Sequence, residues 1–338
     1  MKNLAKVLSF LALVTMILNA CGQDEEASQS TTDDAKDETL KIYTTLYPLQ
    51  YFTEQIGASY VEVESILPAG ADAHTYEPTS KTIVDIAEAD AFVFHTDEME
   101  TYAATIKEAL DKDIPTLEAA KGIAMLEHIH GEEATEDGHD HATGEEHDHS
   151  EEESAEEEHR HNHGDQDPHV WLDPIRSIAM AENIKDMLIE LKPKAKEELE
   201  TNFADLKERL EKLDEKFHSQ LEAQARNEIL VTHAAYGYWE EAYGIEQIAI
   251  TGLSPSNEPS QKQIENIIDV VKDHGIQYLL FEQNVEPNVA KIIQNEAGLE
   301  SLDIHNLEVL TEEDIENKED YFSIMEKNLA VLVKALEE

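Results

Sequence analysis

Residues 193–225 read PKAKEELETNFADLKERLEKLDEKFHSQLEAQA, and this stretch decides how the rest of the chain is arranged. Leu199, Phe203, Leu206, Leu210, Leu213, Phe217 and Leu221 recur at steps of three and four, which is one apolar stripe on a helix, with charges on the other faces. Pro193 suits its first turn. At roughly 1.5 Å per residue such a helix spans nearly 50 Å. That is longer than one small domain, so the helix is expected to bridge two lobes.

Both sides of it alternate strands and helices. Upstream, Leu40–Thr45, Tyr60–Ile66 and Ala91–Phe94 read as strands. Pro48–Ile56, Thr79–Ala89, Met99–Leu110 and Ile175–Leu191 read as helices, with Thr79 or Ser80 as N-cap of the second. Downstream, Ile229–Thr232, Gln247–Ile250 and Tyr278–Phe281 are expected strands. Ser260–His274, Pro287–Ala297 and Tyr321–Leu336 are expected helices. The pattern predicts an α/β chain of two lobes, each with a mostly parallel sheet. The first covers 40–192, the helix 193–226 and the second 227–338.

Composition breaks once. Residues 127–167 hold 17 Asp or Glu against one Arg and almost no large apolar side chain. Such a segment cannot offset its ordering entropy by burial, and it is expected to be a disordered surface loop. Nine histidines lie in it between His128 and His163. One reading is a low-affinity antenna that gathers a metal; the other is a solvated acidic linker with incidental histidines.

The N-terminus reads as a secretory signal over 1–20, with Lys2 and Lys6 before an apolar run, Val7–Leu18, too short for a comfortable membrane span. Leu18-Asn19-Ala20-Cys21 then resembles a bacterial lipobox, which would make Cys21 a lipidated first residue. An ordinary signal with an incidental cysteine is the alternative. Cys21 is the only cysteine, which speaks against an internal disulfide. Residues 21–39 are then a flexible acidic tether. A formal charge of −50 argues against nucleic acid and against docking on anionic lipid.

His74, His169 and His233 stand apart from the tract, each near an expected strand end. Open α/β sheets bind ligands in the crevice at their carboxyl ends, so residues from both lobes could converge in an interlobe cleft. Neutral imidazole suits Zn²⁺ and related transition metals. Each of the three could instead be a satisfied core or surface histidine. Their contexts decide against that: GADAHTYEPT (70–79), DPHVWLDP (167–174), VTHAAYGYW (231–239) and GLSPSNEPS (252–260).

Together, and in this order, these motifs resemble the metal-binding lipoproteins of bacterial ABC importers, in their zinc and manganese cluster. The resemblance runs from Leu40 to the C-terminus. It implies two α/β lobes joined by one rigid helix, with the metal held between them by two residues from each lobe. Carried over, His74 and His169 come from the first lobe and His233 from the second. Histidine rather than carboxylate at the third position marks zinc-type members, as does an acidic, histidine-rich loop. Nitrogen ligands favour Zn²⁺ over Mn²⁺ on chemical grounds as well. The fourth ligand falls in Asp303–Glu308, where Glu308 is preferred. Glu282 in FEQN, His305 and water remain open.

The function expected from the resemblance is capture of Zn²⁺ on the extracytoplasmic face of a cell membrane. The protein is expected to be a lipid-anchored monomer on a Gram-positive surface. It would deliver the ion to an ABC permease with its cytoplasmic ATPase. A secreted zinc hydrolase is a rival, but it needs an open metal position and a general base, and neither HExxH nor GxSxG occurs. A metal-dependent surface adhesin is a second rival, for which nothing in the chain marks an adhesive surface.

Overall fold

The computed structural model describes residues 39–110, 114–127, 166–256, 259–283 and 288–337. The expected signal, Cys21 and tether lie outside the described residues, as do all nine histidines of the tract. Among the described residues no helix is long and apolar enough to cross a membrane.

The first sheet has the strands β1 (Leu40–Thr44), β2 (Val61–Ser65), β3 (Ala91–Phe94) and β4 (Thr116–Glu118), in the order β2-β1-β3-β4 and all parallel. Helices α1 (Tyr47–Gly57), α2 (Ser80–Ala87) and α3 (Thr101–Ala109) make its crossovers. Thr79 caps α2 by accepting from Thr82 N–H. A small antiparallel ladder follows, β5 (Leu126–Glu127) against β6 (Gln166–Asp167). The expected disordered loop therefore has ordered ends. Asp167 is 2% exposed, tied down by partners that composition does not reveal.

Helix α4 (Pro174–Leu191) leads to α5 (Lys196–Leu221). The second sheet has β7 (Glu228–His233), β8 (Glu246–Thr251), β9 (Tyr278–Glu282) and β10 (Glu300–Ile304). Its order is β10-β9-β7-β8, again all parallel. Its helices are α6 (Gly237–Tyr243), α7 (Gln261–His274), α8 (Asn288–Ala297), α9 (Glu312–Asn317) and α10 (Tyr321–Leu336). Two parallel α/β layers joined by a long helix is the architecture expected from the sequence. The sequence does not signal the strands β4, β5, β6 and β10 or the helices α6 and α9, since TLE, LE, QD, ESLDI and EEDIEN lack the apolar runs of β3 and β9, and GYWEEAY is too short to show a helical period.

The linking helix is shorter than expected. Pro193–Ala195 form a 3₁₀ turn, and the α-helix is 26 residues long, about 39 Å rather than nearly 50 Å. It ends at Leu221 because the stripe ends there: Gln224 and Ala225 offer no large apolar group to bury, and Gln224 N–H closes on Leu221 O. Leu199, Leu206, Leu210, Leu213, Phe217 and Leu221 are buried. Each such side chain contributes about 1.5–3 kcal/mol through burial. Phe203 is only partly covered, under Lys185. α5 packs on α1 and α4 on one side and on α6 and α10 on the other, so one helix spans both halves.

Candidate metal centre

Both sheets reverse strand order at an inner strand, between β1 and β3 and between β7 and β9. The crevices there lie at the carboxyl ends, where the chain is free to present side chains. Nε2 or carboxylate atoms of His74, His169, His233 and Glu308 all lie within 4.8 Å of one another.

His74 sits between β2 and α2. Asp72 accepts from its N–H at 2.9 Å and from Thr75 Oγ1 at 2.8 Å, an Asx turn that fixes the loop. His169 follows β6. Asp167 Oδ1 accepts both its N–H at 2.9 Å and its Nδ1–H at 2.8 Å, which leaves Nε2 for the centre. The chain then turns through Val170–Leu172 into α4, whose N-cap is Asp173 and whose first residue is Pro174. His233 is the last residue of β7 rather than the residue after it. Glu308 lies past β10, behind Leu307, whose φ is +61°. This left-handed residue turns the loop so that Glu308 O accepts from Tyr47 N–H at 2.8 Å.

The separations are those of a small coordination shell. His74 Nε2 to Glu308 Oε1 is 3.3 Å, His233 Nε2 to His169 Nε2 is 3.3 Å, and His169 Nε2 to Glu308 Oε1 is 3.8 Å. Zinc bonds of about 2.0–2.1 Å in a tetrahedron place neighbouring donors about 3.3 Å apart. His74 Nε2 and Glu308 Oε1 are buried without a hydrogen-bond partner. Leaving both so is costly, and a cation between them would satisfy both. His169, His233 and Glu308 are at most 1% exposed; His74 is the one donor group with some access to solvent. Burial disfavours the Glu308 carboxylate, but the His74 imidazole 3.3 Å away, together with the charges of His169 and His233, overrules it and holds the group down to about 2. The donor set is three borderline nitrogens and one hard oxygen.

The other two candidates for the fourth position lie outside this group. Glu282 stands behind His233: its Oε1 is 2.6 Å from His233 Nδ1, close but off the hydrogen-bond direction, and it also accepts from Thr232 Oγ1 and Asn306 Nδ2. His305 has both ring nitrogens engaged. Nδ1 accepts Leu307 N–H at 2.9 Å, and Nε2 donates to Asp314 at 3.2 Å.

Two supporting residues carry no signal of their own in the sequence. Asp167 was visible only as the D of D-P-H, two places before its histidine. His95, after β3, is fully buried and donates from Nε2 to Pro168 O at 2.7 Å. Burial drives its pKa down to about 3 against the Pro168 carbonyl, so it is neutral and stacks edge-on against Trp171. Trp171 Nε1 in turn donates to Asn306 O at 2.8 Å, joining the His169 turn to the Glu308 loop.

Over residues 42–335 the chain matches the family described as ZnuA, zinc-uptake complex component A, periplasmic. It is 35% identical over 333 residues to the zinc-binding lipoprotein AdcA of Streptococcus pneumoniae R6, covering 98% of this chain and 60% of that one. The chain thus spans about three fifths of the length of that relative. It is 31% identical to the high-affinity zinc uptake system protein ZnuA of Bacillus subtilis, covering 96% of both. The crystal structure of the Zn(II)-bound ZnuA-like domain of S. pneumoniae AdcA superposes with a TM-score of 0.69 at 34% identity, over 89% of this chain and all of that one.

Proposed function

The chain belongs to the ZnuA family of zinc-uptake components, and from that premise we propose that it captures Zn²⁺ outside the cytoplasm and hands it to an ABC permease. Zinc is the cargo. His74, His169, His233 and Glu308 are its ligands, and the observation that carries this reading is their convergence within 4.8 Å from both halves of the fold. Four protein donors complete a tetrahedron and leave no position for an activated water, so the site stores an ion rather than performing hydrolysis.

Capture follows from the surroundings of each ligand. Asp167 accepts from Nδ1 of His169 and so orients that ring, while the Glu282 charge at the Nδ1 side of His233 raises that ring's basicity toward the metal. The Glu308 loop is held to the first half by Tyr47 N–H on Glu308 O and by Gly70 N–H on Leu310 O. Breaking these bonds withdraws the fourth ligand, which is the release step the arrangement allows. Family kinship further supports a lipid anchor at Cys21, a Gram-positive cell surface, a lobe division at 40–192, 193–226 and 227–338, and a permease with its ATPase as partner.

The test is metal stoichiometry of the purified protein with and without residues 128–163. One tightly held zinc per chain is expected in both, lost in a His169→Ala/His233→Ala variant. Loss of all tight zinc with the deletion would move the function to the histidine tract. Delivery is tested by growth of a strain lacking the protein in chelated medium, which zinc is expected to restore.

A further inference from the structure

His169 depends on Asp167, and Asp167 is held from the other half of the molecule. While Asp167 Oδ1 serves His169, its main-chain oxygen accepts the phenol of Tyr238 at 2.6 Å. The same Tyr238 oxygen accepts Leu126 N–H at 3.3 Å, so one side chain pins both strands of the β5–β6 ladder. Arg176 lies over the Tyr238 ring at 4.9 Å and keeps it in place. The neighbouring Gly237 approaches the Asp167 side chain so closely that a Cβ there would sit 2.6 Å from Oδ2.

The reason for glycine at 237 is space, since its φ is not positive. Carboxylate oxygens at the end of a side chain normally yield to an added methyl group. Asp167 cannot yield without losing the bonds from N and Nδ1 of His169, because its two oxygens turn together. The imidazole would then be free to rotate, and Nε2 would leave its place 3.3 Å from His233 Nε2.

We propose that Gly237 and Tyr238 are positioning residues for metal capture, setting the aim of His169 through Asp167. This rests on His169 and His233 being zinc ligands. Gly237 is four residues beyond His233, so a single strand-to-helix connection carries one ligand and the clamp on another. The α6 start therefore makes the geometry of His169 conditional on how the second half sits against the β5–β6 ladder. Positioning of this kind transmits docking into ligand geometry.

The experiment compares Zn²⁺ affinity, by competition with a chromophoric chelator, and the visible spectrum of the Co²⁺-loaded protein. Gly237→Ala is expected to lower affinity by roughly tenfold to a hundredfold, the usual effect of losing an outer-sphere partner, and to change the Co²⁺ bands. Tyr238→Phe, which adds no atoms, is expected to change both in the same direction and carries the test if Gly237→Ala does not fold. Gly298→Ala is the structural control: its φ is +72° with nothing within 4 Å of a Cβ, so it strains the backbone alone. It is expected to lower thermal stability and leave the Co²⁺ spectrum unchanged. Asp167→Ala is expected to lower affinity, and adding Gly237→Ala to it to cost nothing more. Unchanged Zn²⁺ affinity and Co²⁺ spectrum in both Gly237→Ala and Tyr238→Phe, or a further loss in the Asp167→Ala background, would overturn the proposal. Undiminished affinity in His169→Ala would instead remove the ligand assignment beneath it, and the proposal with it.

Discussion

Glu282 Oε1 stands 2.6 Å from Nδ1 of His233, while Nε2 of the same ring stands 3.3 Å from Nε2 of His169. The carboxylate therefore acts on an imidazole whose other nitrogen faces the cluster proposed to hold the metal. A proton and a metal ion compete for that ring, and Glu282 favours both.

The pH dependence of zinc binding follows. Burial lowers the pKa of His233, but the charges of Glu282, Glu308 and Asp167 outweigh it, and the folded value is raised above 6.5. In the metal-free protein this contributes stability that is fully present below pH 6.5 and is lost as pH rises through the folded value. Zinc must displace the same proton, so affinity is expected to fall as pH drops through that raised value. Glu308, held to about 2, stays ionised throughout this window and contributes stability lost only as pH falls toward 2. Competition titrations between pH 8 and pH 5.5 check this; a flat profile rules out histidine ligation.

Glu282→Gln keeps the shape of the residue and removes its charge. The His233 pKa is expected to drop, and with it the pH at which zinc leaves. Zinc affinity at a pH above the raised His233 value, where no proton competes, is expected to fall by roughly tenfold to a hundredfold. Measuring both separates loss of ligand basicity from loss of proton competition. A variant with lower affinity but an unshifted pH profile would show that Glu282 acts through Thr232 and Asn306 rather than through His233.

Glu308→Gln removes the one oxygen donor's charge while leaving an amide that can still accept from Ala73 N–H, 3.4 Å away in the parent. Zinc affinity is expected to fall by more than the roughly hundredfold seen for outer-sphere changes, because a bonded anion is lost. Isothermal titration with a chelator competitor reads this directly. An effect under tenfold would mean that water or another side chain occupies the fourth position.

How much of this was readable beforehand varies by residue. The α5 stripe, β1, β3 and α10 came through because apolar period and β-branched runs act locally. His74, His169 and His233, which the structure brings together, are legible as candidates because each stands alone in a motif. Glu308 was preferred only by resemblance: nothing in D-I-H-N-L-E says that Leu307 will take φ +61° and turn Glu308 toward Tyr47 while His305 turns to Asp314. Asp167 was absorbed into an acidic segment, where its role in binding His169 is invisible to composition. The supports of the site are long-range contacts, such as Trp171 with Asn306 across 135 residues, and no local pattern encodes them.

Leu307 itself gives a test in which two effects oppose. Its left-handed backbone costs roughly 1–2 kcal/mol relative to glycine. Its side chain is fully buried, and losing a buried leucine costs about 2–5 kcal/mol. Burial outweighs strain, so Leu307→Gly is expected to destabilise the metal-free protein by about 1–3 kcal/mol rather than relieve it. Denaturant unfolding without metal measures this. Zinc affinity is also expected to fall, because the flexible glycine must now be ordered to bring Glu308 onto Tyr47 N–H each time the ion binds. A stabilised variant with unchanged affinity would show that the left-handed turn, and not the buried side chain, dominates the energetics of this loop.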